Sequence, residues 1–182
     1  MKTIELQIPE GKKAEWINGV LTLVDDKSND IRERIKTFQD AYCELGDNHP
    51  YVISYEQYVN SAGGTEDDVI AYLKLRIIVA ALNEGWKPKF TKDECQYFVY
   101  LDFHEESEYE NIAYGQKGHF IYRNSDDLSN DGWAPYVTAS YVDRYGSTAE
   151  GARLALKTPE LATYAGAQFL EIWADYMLPK PV

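Results

Sequence analysis

Oxygen-bearing side chains at alternating positions begin the segment that follows residue 126. Asp127, Ser129 and Asp131 match positions one, three and five of a calcium-binding loop, and Gly132 matches position six, where such loops turn sharply. Position twelve holds Thr138 instead of the bidentate carboxylate that closes such a site. Because the same residue types are common in polar hairpin loops, a simple loop is the favoured interpretation. Asp127, Ser129 and Asp131 are nevertheless our candidate metal ligands.

A second group of chemically capable side chains surrounds His104. His104, its acidic neighbours and His119 would form a divalent metal site, or supply general acid–base groups, if the fold closed them into a cleft. Only histidine is a strong nitrogen donor here, and carboxylates at a strand end remain solvated at no cost. A solvated acidic cluster is therefore favoured over a metal-assisted hydrolase. The acids are Asp102, Glu105, Glu106, Glu108 and Glu110.

The sequence lacks the motifs of the familiar enzyme classes. It contains no G-x-S-x-G nucleophile elbow and neither of the glycine-rich patterns that bind phosphates, G-x-x-x-x-G-K-[ST] and G-x-G-x-x-G. This absence weighs against an enzyme without excluding one. We expect no cofactor.

Aromatic and cationic side chains on predicted strands form the candidate binding surface. Alternation along residues 97–103 places Tyr100 on one face of a sheet, opposite the face of its two neighbours. Tyr100, Arg123, Trp133 and Tyr136, together with Trp86, would then provide a stacking platform for a sugar or a protein. For any one of these rings, packing beneath the helices is the more common outcome.

Charge is distributed unevenly along the chain. The 18 basic and 30 acidic residues give a net charge of −12, which disfavours direct binding to nucleic acid or to an anionic membrane. Residues 93–131 contain ten acids and only two bases, Lys117 and Arg123, which gives this segment a net charge of −8. If loops project this charge from one sheet edge, they form a rim that steers a basic partner or imitates a phosphate row. Solubility alone is the simpler explanation.

The element that must organise these residues is an apolar segment at residues 65–86. Between residues 69 and 82 only Lys74 and Arg76 carry charge, and apolar residues recur at helical spacing, among them Ile70. The pattern predicts a helix that is buried on most of its circumference. Thr65 is the expected N-cap, and Gly85 is the expected left-handed residue after the helix.

The remaining elements follow from periodicity and turn residues. Before the central helix we predict two strands that pair antiparallel, one amphipathic helix and one short helix, at residues 3–8, 19–24, 31–45 and 54–61. After it we predict antiparallel strands at residues 97–103, 112–114 with 119–123, 136–142 and 152–157. A closing helix with Thr158 as its cap runs to Pro179.

The predicted fold is a single α+β domain over residues 1–182. An antiparallel β-meander packs against the central buried helix and the C-terminal helix, with a small N-terminal strand pair. Residues 1–90 hold the strand pair and the helical part, and residues 91–182 hold the sheet and the closing helix.

Three segments of the chain together resemble segments of known proteins. They are KTIELQIPEG at residues 2–11, LNEGWKPKF at residues 82–90 and LALKTPELATYAGAQFLEIWADYML at residues 154–178. These segments, about a quarter of the chain, resemble uncharacterised proteins of phages and prophages of gut Bacteroidetes. The resemblance implies an origin and no particular activity, and it assigns no site residues.

We therefore expect a non-enzymatic accessory protein of phage or prophage origin that binds a macromolecule, most simply a protein, through its sheet edge and acidic loops. The alternatives are an acidic DNA mimic or inhibitor of a nucleic-acid enzyme, and the metal-assisted hydrolase. Two distant cysteines, no apolar run of signal-peptide length at the N-terminus and no segment able to span a bilayer favour the cytoplasm. The sequence leaves the oligomeric state open.

Overall fold

The computed structural model describes residues 7–9, 12–25, 30–61, 63–89, 91–111, 120–122, 136–145 and 151–178. The described strands are β1 (Lys12–Ile17), β2 (Val20–Asp25), β3 (Cys95–His104), β4 (Ile121–Tyr122) and β5 (Tyr136–Tyr145). The described helices are α1 (Ile31–Arg34), α2 (Phe38–Leu45), α3 (Pro50–Val59), α4 (Asp67–Leu82), α5 (Glu106–Glu110), α6 (Pro159–Gln168) and α7 (Leu170–Met177). A short 3-10 helix spans Ala152–Leu154. Helices packed with antiparallel sheets confirm the α+β class.

Helix α4 lies at the centre of the hydrophobic core, as the sequence predicts. Leu75, Ile77 and Ile78 have no exposed surface, and α2, α3 and α7 pack around the helix. Ile70, which belongs to the predicted buried stripe, is only half-buried near the N-terminal end. Glu66, not Thr65, is the N-cap residue, and its side chain makes no capping hydrogen bond.

The N-terminal strand pair is a hairpin made of β1 and β2, which differs from the predicted pairing. Lys12 lies opposite Asp25 and Ile17 opposite Val20. Asn18 and Gly19 both have positive φ, 51° and 81°, as a two-residue hairpin turn requires. The expected first strand at residues 3–8 is therefore not the described partner of β2. Its last two residues lie outside any strand, and residues 3–6 lie outside the described ranges.

The predicted helix at residues 31–45 is two helices. Thr37 caps α2 because its hydroxyl accepts a hydrogen bond from Asp40 N (3.1 Å) and the Asp40 carboxylate accepts one from Thr37 N (2.8 Å). The break leaves backbone carbonyls exposed to the neighbouring helix α6. The Tyr164 hydroxyl donates to Ile35 O (2.6 Å), and Gln168 Nε2 donates to Lys36 O (2.7 Å).

The second sheet has the strand order β3-β5-β4, so β5 lies between the other two strands and the order is not that of a sequential meander. Its pairings are antiparallel throughout, and Cys95 lies opposite Tyr145 at one end of the long pair. The strand predicted at residues 152–157 is wrong. These residues begin with the 3-10 helix, and only Leu156 forms a bridge, with Tyr97. The strand predicted at 112–114 lies outside the described residues.

The predicted closing helix packs across the sheet, but it bends at Phe169. Its first part, α6, lies on β5 and β3, and its second part, α7, packs against α4. Phe169 has φ −117° and ψ 28°, which is outside the helical region and separates the two helices. The closing element therefore covers the sheet and the central helix in turn.

Candidate functional site

The aromatic platform predicted from the sequence is only partly within the described residues. Tyr100 and Tyr136 lie on the same face of the second sheet, opposite Ser140 and His104 respectively. Four residue steps separate them, about 13 Å along the strand, so they cannot hold one small ring between them. The Tyr136 ring instead stacks on Tyr109 at 4.0 Å between ring centroids.

The other members of that platform do not join these two tyrosines. Arg123 and Trp133 lie outside the described residues, so their predicted roles stay predictions. Trp86 lines a cleft between α3 and the C-terminal end of α4. Of the rings of the predicted surface that the structure describes, Tyr100 is the most exposed, with 38% of the residue in solvent, whereas Trp86 and Tyr136 are half-buried.

Both predicted metal sites depend on residues outside the described part of the chain. Asp127, Ser129 and Asp131 all lie there, as does His119. The described residues contain no group of three or more His, Cys, Asp or Glu side chains arranged to hold a metal ion. His104 Nδ1 lies 3.9 Å from Glu108 Oε2, and its ring contacts Phe120 edge-on at 5.1 Å. The calcium loop and the metal-assisted hydrolase stay predictions.

The described acids of the predicted negative rim lie at opposite ends of β3. Asp93 and Glu94 precede the strand, while Glu105, the N-cap residue of α5, and Glu108, within α5, follow it. The ten residues of β3 separate the two groups by about 30 Å. Glu94 also accepts a hydrogen bond from Lys89 N at 3.1 Å. These carboxylates therefore form two separate groups, and Asp126, Asp127 and Asp131 lie outside the described residues.

The most conspicuous exposed surface is on the β1–β2 hairpin, where sequence reasoning placed no site. Cross-strand pairing brings Trp16 next to Leu21 and Ala14 next to Leu23 on one face, which we call the hairpin surface. Trp16 is 74% exposed, and both leucines are more than 40% exposed. Large apolar side chains held together in water usually mark an interaction site. Apolar residues around the Asn-Gly turn were the signal that could have identified it.

The other face of the hairpin is apolar near the turn as well. Ile17 and Val20 lie opposite one another there, and Val20 is 64% exposed. The strands β1 and β2 contact each other extensively, whereas neither makes an extensive contact with any other described element. Among the described elements, the hairpin therefore has little contact with the core that surrounds α4.

Neither the hydropathy of the helices nor comparison with known proteins assigns a further site to the chain. Among the described helices, none combines the length and the apolar composition that crossing a bilayer requires. Comparison with protein-family models, curated proteins and solved structures finds no match for the chain.

Proposed function

We propose that this chain is a non-enzymatic accessory protein that binds a protein partner through the hairpin surface. The observation that carries the proposal is the exposure of Trp16, Leu21 and Leu23 side by side on one face of a two-stranded sheet. Tryptophan and other large apolar groups lose the most unfavourable hydration when a partner covers them. A role in a phage or prophage, suggested by the sequence resemblance, and a cytoplasmic location belong to the same proposal.

The side chains of the hairpin are not part of the hydrophobic core. The cluster of buried side chains is formed by residues of the helices, of β3 and of the segment at residues 154–156, and it contains no residue of β1 or β2. The large apolar side chains of the hairpin surface lie outside this cluster and remain more than 40% exposed, so they gain less from burial in the isolated chain than core side chains do. Their burial is therefore assigned to a complex.

Charge favours a different protein over a second copy as the occupant of the hairpin surface. Each chain carries a net charge of −12, so two copies repel one another. A partner with an apolar groove and a basic rim would bury Trp16 and attract the acidic chain at the same time. The binding surface is thus the hairpin instead of the sheet edge expected from the sequence, and the partner is still a protein.

The test compares a hairpin double variant with a matched surface control. Proteins captured from the host by the wild-type chain are identified, purified and titrated calorimetrically against three chains: wild type, Trp16→Ser/Leu21→Ser and Tyr145→Ser. Tyr145 is also an exposed aromatic residue, 58% exposed, but it lies at the end of β5. We expect the double variant to lose about a hundredfold in affinity and the control to stay within about twofold.

Two outcomes would contradict the proposal. One is a purified partner that binds the hairpin double variant as tightly as wild type. The other is a wild-type chain that sediments as a dimer and becomes a monomer in the double variant, which would assign the hairpin surface to a second copy of the chain.

A further inference from the structure

A cleft lies on the side of α4 that faces the start of α3. Its volume is about 330 Å³, within the range of small-molecule sites. Aromatic, amide and basic side chains supply its functional groups: His49, Tyr51, Asn83, Trp86, Lys87 and Arg153. The sequence resemblance and the proposed binding surface leave this cleft without a role.

The charge of the cleft is opposite to that of the chain. Acids outnumber bases by 30 to 18 in the sequence, yet Lys87 and Arg153 line the cleft and no carboxylate among the described residues does. Neither cation makes an ion pair within the described part of the chain. In contrast, the nearby Glu84 is paired with Arg34 (2.9 Å) and Lys157 (3.4 Å). Two cations without carboxylate partners therefore create a positive potential in the cleft.

A third cation lies beside the cleft. The guanidinium of Arg76 packs 4.1 Å from the centre of the Tyr51 ring and 5.8 Å from that of Tyr72. Its Nε atom is buried and has no hydrogen-bond partner among the described residues. A guanidinium held by aromatic rings without a carboxylate partner keeps its charge uncompensated and adds to the same potential.

His49 presents a hydrogen-bond donor at the same site. Its Nδ1 accepts a hydrogen bond from Tyr51 N at 3.2 Å, so the neutral ring carries its proton on Nε2. Burial, followed by the positive charges of Lys87 and Arg76, lowers the pKa of His49. The same two cations therefore lie close enough to His49 to disfavour its protonated form.

The backbone around the cleft is held in place by Asn83, which is 4% exposed. Its Nδ2 donates to Ala155 O (2.8 Å), and its Oδ1 accepts from Lys157 N (3.1 Å), which fixes the segment that follows Arg153. Glu84 and Gly85 then both adopt positive φ and turn the chain toward Trp86. Groups fixed in this way lose little entropy when a ligand binds.

We propose that this cleft binds a small phosphate ester with a planar ring, of the mononucleotide type. The phosphate lies between Lys87 and Arg153, whose guanidinium suits two phosphate oxygens at once. The ring lies against the indole of Trp86, since aromatic side chains stack on nucleobases. His49 Nε2–H donates to the ligand.

The experiment titrates AMP, adenosine and inorganic phosphate into the wild-type protein, with calorimetry and amide chemical shifts as readouts. We expect AMP to bind and to shift the resonances of Tyr51, Trp86 and Arg153, and adenosine to bind at least about tenfold more weakly. Inorganic phosphate should shift Lys87 and Arg153 without shifting the Trp86 indole. An acidic peptide should not compete with AMP.

Matched charge variants distinguish a specific binding site from a general attraction of AMP to positive charge. Lys87→Gln and Arg153→Gln should each weaken AMP binding by about tenfold, while Arg144→Gln, an equal charge change on β5, should leave it within about twofold. The proposal is overturned if adenosine binds as well as AMP, if the three variants weaken AMP equally, or if the peptide displaces it. A wild type that shows no shift at millimolar AMP overturns it as well. Melting temperatures of the variants confirm that each is folded.

Discussion

Single polar side chains link segments that are distant in the chain. Asn83 is the clearest case, because its amide joins the end of α4 to residues more than seventy positions later. His49 acts more locally, since its ring nitrogen Nδ1 accepts a hydrogen bond from Tyr51 N at the start of α3. In both cases the role depends on which backbone atoms lie opposite the side chain, so the sequence pattern alone did not reveal it.

The lowered pKa of His49 predicts a pH dependence of stability. Burial is the main cause of the shift from 6.5, and the charges of Lys87 and Arg76 add to it. The unfolded chain therefore binds this proton more tightly than the folded chain, and the free energy of unfolding falls as the pH drops below 6.5 toward the lowered folded pKa. Protonation also removes the acceptor for Tyr51 N.

His49→Asn tests this linkage because asparagine is a good N-cap residue that does not titrate. Urea unfolding at about pH 7.5 and about pH 5.5 should show wild type losing more stability than the variant between the two conditions. A stability difference between the two proteins that is the same at both pH values would contradict the assignment.

At the scale of elements, a close contact between layers is made where α6 crosses the second sheet. Gly166 lies over the β3–β5 pair, and a Cβ atom placed on it would meet Ala139 Cβ at 2.9 Å and Val99 Cγ1 at 3.2 Å. Both neighbours are in the packed core or against it, so neither has room to move away. The small residue thus sets the distance between helix and sheet.

Gly166→Val should lower the free energy of unfolding by about 2 kcal/mol, because the added methyl groups force α6 away from the sheet. Chemical denaturation measures the change. Gly63→Ala is the control, since nothing lies within 4 Å of a Cβ atom at that position, and it should stay within about 0.5 kcal/mol of wild type. Equal stability of Gly166→Val and wild type would show that this contact does not limit the packing.

The sequence predicted the elements whose patterns are local and continuous. The apolar periodicity identified α4, and alternation identified the long strands of the second sheet. It missed the breaks at residues 35–37 and at Phe169, because the apolar stripe continues through both while a capping box or tertiary contacts end the helix. It also missed β1, which the Asn-Gly turn joins to β2 as its described partner.

The candidate sites were less predictable than the elements. The cleft is formed by residues of three separate segments, and only the fold brings Arg153 near Lys87. The hairpin surface is apolar on the side where a half-buried strand would contact a core, so its pattern resembles that of an ordinary strand. The pattern of a single sequence does not distinguish an apolar strand face that the core covers from one that remains in water.

At the scale of the whole molecule, the described contacts separate a core built around α4 from a hairpin that gains little stability from that core. The body has a continuous core, while β1 and β2 stabilise mainly each other. A two-stranded hairpin without a further layer is marginally stable in water. Hydrogen exchange should therefore find protection factors in β1 and β2 at least about a hundredfold below those of α4.

Added denaturant sharpens this prediction. Exchange in α4 should accelerate steeply with urea because those amides open by global unfolding, whereas exchange in the hairpin should hardly respond. If β1 and β2 match α4 in both protection and urea dependence, the hairpin belongs to the same cooperative unit and its apolar side chains are already covered in the isolated protein. If they do not, protection that appears in the β1 and β2 amides on adding a partner shows that binding stabilises the hairpin, as covering Trp16 and Leu21 would.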